Sequence, residues 1–161
     1  MMVPGTGLTI AIIATTSEPG SASMTPAKTL SVVATWEGGY RCKVATGAFE
    51  IAVDEPVSAG GDGTGPQPTE VFLASLASCF ALALSHVARK REVELADLTV
   101  TAVGEYDGPK FAKLRLEVVS SLAAELLEPL LARASAICYV SNTLRAVNEV
   151  EVVLANYPAQ Q

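Results

Sequence analysis

The sequence predicts an α+β protein. Short runs of alternating or β-branched residues come in sets, three before and two after one long helical stretch. That stretch, Thr69–Arg91, carries small and large apolar residues on nearly every face. Turns of Gly, Asp and Pro join successive runs directly, so antiparallel strands with segregated helices are expected, and not alternating βαβ units.

Each element has its own signal. Leu30–Trp36 (LSVVATW) is β-branched and partly alternating, and reads as the first strand. Glu37-Gly38-Gly39 turns the chain, Tyr40–Ala45 (YRCKVA) forms the second strand, Thr46-Gly47 turns it again, and Ala48–Val53 (AFEIAV) completes a meander. Asp54–Pro68 (DEPVSAGGDGTGPQP) has no periodicity; a loop this long inside a compact domain is ordinarily functional. Pro66 and Pro68 then open the long helix, where a missing N–H is harmless. Glu70 falls in its first turn, and Arg89, Lys90 and Arg91 close it, which suits the helix dipole at both ends. A helix apolar all round is expected to be buried all round, here beneath a sheet and a second subunit.

Leu98–Tyr106 and Ala112–Val119 alternate and are joined by Asp107-Gly108-Pro109, a hairpin signal. Leu122–Ala136 reads as a second helix, which Pro129 is expected to kink or divide. Ser141-Asn142-Thr143 reads as a helix start just after Cys138, and Glu149–Leu154 (EVEVVL) as a closing strand.

Bulk properties narrow the function. The chain has 161 residues, half of them hydrophobic, which fits one domain with a real core. A net charge of −6 repels phosphate backbones, so a nucleic-acid partner is not expected, and nothing reads as a basic amphipathic membrane helix. Leu8–Ala14 is too short to span a bilayer and has no Lys or Arg before it, so it does not read as a secretory signal. Residues 1–28, with a Ser/Thr/Pro/Gly-rich stretch over 15–26, read as a disordered extension of a domain over 29–157, and Met24 is a candidate natural start. Cys42, Cys79 and Cys138 are too few for a disulfide scaffold and fit the reducing cytoplasm. His86 is the one histidine, which excludes a multi-His metal site. No cofactor is expected. The segment GGDGTGP lacks the GK[ST] ending of a P-loop and does not follow a βαβ strand.

By residue type alone the candidate chemistry stays open. Cys79 lies mid-helix, where a free cysteine is ordinarily a small buried hydrophobe. A reactive thiol needs a positive or hydrogen-bonding neighbour, and none lies one turn away in the sequence. Cys138 precedes a helix start whose N–H groups could hold a thiolate. Cys42 reads as structural or exposed, Arg41 as a strand-edge charge, Glu70 as a helix-dipole partner, and His86 as a polar tip near the helix end.

Read together, two segments are more specific. GPQPTEVFLASLASCFALALSHVARKR resembles the first cysteine motif of the OsmC/Ohr family, and ICYVSNTL its second; WEGGYRCKVATG and NEVEVVL resemble the family's first hairpin and last strand. The resemblance covers Leu30–Leu154. It implies an intertwined homodimer, with antiparallel sheets wrapped around two long central helices. It implies a thiol-dependent peroxidase for organic hydroperoxides, serving antioxidant defence and reset by a dithiol of lipoyl type. On this reading Cys79 matches the attacking thiol, Cys138 the resolving one, Arg41 the thiolate-holding arginine and Glu70 its orienting carboxylate. Two departures stand out: Thr69 occupies the position ten before the first cysteine, where well-studied members carry the carboxylate, and Tyr139 replaces the proline after the second. The rival expectation is a binding protein of the same fold, with inert cysteines and an apolar ligand.

Overall fold

The computed structural model describes residues 28–146 together with Val150 and Val152. The chain divides into two units, Met1–Ser31 and Val32–Gln161. Of the first, Lys28–Ser31 are described, exposed and without regular structure. The expectations for residues 1–27 and for a closing strand over 149–154 lie outside the described residues.

The second unit is α+β with antiparallel sheets. β1 (Val33–Gly38), β2 (Arg41–Thr46) and β3 (Phe49–Val53) form a three-stranded meander in the order β1-β2-β3. Trp36 pairs with Cys42, and the register slips between Trp36 and Gly38, a bulge that Gly38 permits with φ of 114°. The sheet buries little of itself: Val33, Trp36 and Phe49 are 61%, 70% and 76% exposed.

The segment after β3 is wound around one carboxylate. Asp54 is 1% exposed and accepts the amides of Glu55 (2.8 Å), Asp62 (3.2 Å) and Thr64 (3.0 Å) and the Thr64 hydroxyl (2.9 Å). The Thr64 amide is the largest influence on its pKa; burial pushes the carboxyl up, but the bonds together hold it below the ordinary aspartate value. A Cβ on Gly61 would strike the Glu55 carbonyl, and one on Gly65 the Ala52 carbonyl, so the winding admits only glycine at both places.

α1 (Pro68–Lys90) follows, with Pro68 at its first position and Glu70 Oε2 accepting the Gln67 amide at 2.9 Å. It ends with Glu92 at φ 57° and Val93 N–H on the Ala88 carbonyl at 3.0 Å, a left-handed C-terminal cap ordinarily given to glycine. β4 (Thr99–Asp107) and β5 (Lys110–Val119) pair as a hairpin. Asp97 ties the far end of that hairpin to the next turn by accepting the Ser121 amide. α2 (Ala124–Ile137) runs through Pro129 without being divided; the proline lies inside the helix and lacks the N–H for one intrahelical bond. α3 (Tyr139–Ala146) begins two residues before the expected Ser141 start.

The core lies where α1 meets β4, α2 and α3. Phe80, Leu84, Val87, Leu130, Ala134 and Cys138 form its centre, with Val100, Leu116, Val118 and Leu131 packed around it. α1 is long and apolar enough to cross a membrane, with mean hydropathy 2.0 over eighteen residues, yet one third of that window is buried in a single chain. Within the single chain α1 is thus buried on one face. Leu82 on the opposite side is 72% exposed.

Candidate active site

Two of the three cysteines meet. Cys79, in the middle of α1, and Cys138, at the junction of α2 and α3, have their Sγ atoms 3.4 Å apart. α1 packs against both helices, so the sulfurs are brought together by the core contact itself. Cys138 is fully buried, whereas Cys79 is partly exposed. Cys79 opens onto a groove of about 770 Å³, whose walls include Leu82, His86, Ile137, Tyr139, Asn142 and Thr143. A second, smaller pocket of about 530 Å³ lies under β5 on apolar side chains, among them Leu76, Phe80 and Leu116, and does not include Cys79.

Cys138 ends one helix and begins another. Its amide bonds to the Ala134 carbonyl (2.9 Å) and its carbonyl receives the Asn142 amide (3.0 Å). It therefore stands at the N-cap of α3, where helix N–H groups have no intrahelical partner. Burial pushes its thiol pKa up; the hydroxyl and amide of Ser141, Cys79 and the Val140 amide outweigh this and hold it below the ordinary thiol value. Tyr139 is the first residue of α3, a position whose N–H is free in any helix. Tyrosine there forfeits no hydrogen bond relative to proline, and its side chain is 84% exposed on the groove wall.

Arg41 and Glu70 stand elsewhere within the chain. Arg41 Nη1 pairs with Asp62 Oδ2 at 3.1 Å, both side chains well exposed, and Glu70 is engaged at the start of α1. Neither lines the groove beside Cys79. Thr69 accepts a hydrogen bond from the Tyr106 hydroxyl at 2.9 Å. Cys42 is half-buried in β2. His86, read from sequence as a polar tip, lines the groove two turns beyond Cys79. Two participants were not singled out from sequence: Asp62, which holds Arg41, and Asp54, which holds Asp62. The signal for Asp54 was an aspartate at the head of a Gly/Thr-rich loop, a composition that favours side-chain-to-amide bonding. Among the described residues no cluster of three or more His, Cys, Asp or Glu is placed to hold a metal ion.

The sequence pattern of the OsmC-like protein family matches residues 61–153, which take in both cysteines and the groove. The chain belongs to the OsmC-like family. Solved OsmC-like structures superpose on it over most of their length. An organic hydroperoxide resistance protein from Elizabethkingia anophelis, with thiocyanate bound, shares 27% identity over 76% of this chain and 92% of its own, with a TM-score of 0.58. An organic hydroperoxide resistance protein OsmC from Legionella pneumophila shares 25% identity over 74% and 90%, with a TM-score of 0.56. An OsmC-like protein from Mycoplasma pneumoniae, at 19% identity, covers 74% of this chain and 89% of its own with a TM-score of 0.63, and speaks for the fold alone. No curated protein matches the sequence.

Proposed function

We propose that this OsmC-like protein is a thiol-dependent peroxidase that reduces organic hydroperoxides in the cytoplasm. One observation carries the reading: two sulfurs lie 3.4 Å apart, one on an open groove and the other sealed behind it. That arrangement suits an attacking thiol that peroxide can reach and a second thiol that only the first can reach. Cys79 attacks the terminal peroxide oxygen, the O–O bond breaks, and the sulfur becomes a sulfenic acid. Cys138 then displaces hydroxide to give the Cys79–Cys138 disulfide, and an external dithiol, of lipoyl type, resets the pair by exchange. Leu82, Ile137 and Tyr139 give the groove an apolar wall suited to an alkyl substituent. The hydroperoxide resistance proteins of Elizabethkingia and Legionella lend the reading further support.

The working unit is a homodimer. Exposed Val33, Trp36 and Phe49 on the first sheet, and Leu82 on α1, form apolar surface that a second copy would cover. Because Arg41 and Glu70 do not line the groove of their own chain, their roles of holding and orienting the Cys79 thiolate belong to that assembled dimer.

The groove's apolar wall also favours a second reading, an apolar-ligand binding protein with inert thiols. Peroxide consumption decides between them. Wild type and Cys79→Ser are compared with dihydrolipoamide and with thioredoxin as reductant, on hydrogen peroxide and on a bulky organic hydroperoxide. Wild type is expected to turn over, fastest on the organic substrate, and the variant is expected to be inactive. Equal rates for the two proteins would eliminate the peroxidase.

A further inference from the structure

Large aromatic side chains ordinarily stand where they pack. Tyr139 does not: it is exposed at the start of α3, and the ring pairs among the described residues link Phe72, Tyr106 and Phe111 without it. The helix does not require it either, since the N–H at the first position of α3 has no intrahelical partner whatever the side chain. Its position gives it a use. Tyr139 follows the residue whose sulfur touches Cys79, and it lines the groove onto which Cys79 opens.

The groove offers Cys79 an apolar neighbourhood with one ring in it. Leu82 comes one turn later on α1, and Ile137 and Tyr139 stand on either side of the buried Cys138. The ring is seated on a braced turn. Asn142 donates its amide to the Cys138 carbonyl (3.0 Å) and its side-chain Nδ2 to the Ala136 carbonyl (2.9 Å), which ties the first turn of α3 to the end of α2. Ser141 adds a hydroxyl bond to the Cys138 carbonyl at 3.3 Å. With the backbone held, only the side-chain torsions of Tyr139 remain to be ordered against a ligand, at small entropic cost.

We propose that Tyr139 is the specificity-determining residue of the groove, selecting hydroperoxides that carry an aromatic ring on the peroxide-bearing carbon. The inference rests on the peroxidase reading and names a substrate class within it. When Cys79 attacks the terminal oxygen, only the two oxygens separate that carbon from the sulfur. Its substituent therefore lies in the stretch of groove nearest the thiol pair, where Tyr139 forms part of the wall. Leu82 and Ile137 take alkyl and aryl groups alike, through buried area. The tyrosine ring adds offset or edge-to-face contact with a second ring, which an alkyl group does not return. Asn142 on the same wall does not compete for the substituent, because both ends of its amide are engaged, with Ala136 and with Arg145.

The test compares kcat/KM for hydrogen peroxide, tert-butyl hydroperoxide and cumene hydroperoxide, which carry no substituent, an alkyl one and an aryl one, with dihydrolipoamide as reductant. Wild type is expected to prefer the aryl substrate to the alkyl one. Tyr139→Leu keeps an apolar side chain and removes the ring; its aryl-to-alkyl ratio is expected to fall about two- to tenfold, chiefly through KM. Tyr139→Phe keeps the ring and is expected to hold the wild-type ratio. A wild type indifferent to the ring, or a Tyr139→Leu ratio equal to that of wild type, overturns the proposal. So does a loss of equal size on all three substrates together with a weakened dimer, because the ring then belongs to the subunit interface. A Tyr139→Phe protein that falls with Tyr139→Leu overturns it too, because the hydroxyl then carries the preference. Binding without chemistry separates this proposal from the reading beneath it: cumyl alcohol and tert-butanol are titrated into wild type and Tyr139→Leu and followed by NMR. An inactive wild type that binds the aryl alcohol more tightly, and loses that preference in Tyr139→Leu, retires the peroxidase and leaves the aromatic site. An active peroxidase whose aryl-to-alkyl ratio ignores Tyr139→Leu retires the aromatic site alone.

Discussion

Ala134→Leu tests whether packing sets the sulfur geometry. Ala134 is fully buried on α2, belongs to the cluster that contains Phe80, Leu84 and Cys138, and its carbonyl accepts the Cys138 amide. Three further carbons have no space there, and overpacking a core of this kind costs about 1–3 kcal/mol. Against a total stability of about 5–15 kcal/mol, the variant stays folded. With a urea m-value of about 2 kcal/mol/M, a loss of about 2 kcal/mol lowers the unfolding midpoint by about 1 M. The strain is relieved most easily by moving the end of α2, which carries Cys138. The sulfurs now stand 3.4 Å apart and a disulfide requires about 2.05 Å. A displacement away from α1 therefore slows oxidation of the pair. The assay is urea unfolding of the reduced protein at fixed concentration, followed by the rate of disulfide formation with one equivalent of peroxide. An unchanged midpoint refutes the packing argument; a lowered midpoint with an unchanged oxidation rate refutes the coupling of core to thiols.

Two further outcomes concern stability. Glu92→Gly relieves a left-handed residue at the end of α1 and should stabilise the protein by about 1 kcal/mol, read as a higher urea midpoint with unchanged slope. For Asp54 the folded pKa lies below its ordinary 3.8, so its contribution is complete above that value and is lost as pH falls through the depressed folded pKa. Asp54→Asn should therefore be less stable than wild type at pH 7, and the gap should narrow below about pH 4 as the wild-type carboxyl protonates. A gap that stays constant from pH 7 to pH 3 would show that the charge is not what the loop uses.

Much of the fold was legible, because alternation and turn chemistry are local signals. The three-stranded meander, the long helix and the β4–β5 hairpin all stand where the sequence placed them, with ends shifted by no more than three residues. Of the two outcomes expected at Pro129, division of the helix does not occur, and the start of α3 was misplaced because Cys138, whose side chain carries no oxygen, takes the place of a Ser or Asn cap. The two thiols were legible as candidates, but their contact joins residues 59 apart and depends on how α1 crosses α2 and α3. The surroundings of Arg41 and Glu70 could not be read from spacing: Asp62 reaches Arg41 from a loop 21 residues away, and Glu70 closes the start of its own helix. Asp54 escaped notice because a single aspartate announces its bonding only once the chain folds back over it.

The passage from β3 to α1 looks by composition like a slack tether, yet it hangs from one peg. With Asp54 at its centre and Gly61 and Gly65 pressed against backbone carbonyls, it is a fixed spacer. Tolerance to change along it should be sharply uneven: forgiving at exposed Val57 and Ser58, and close to nil at the peg and the two glycines. Lengthening this stretch would loosen the seating of Asp62, and with it the anchorage of Arg41, while leaving both sulfurs where they are.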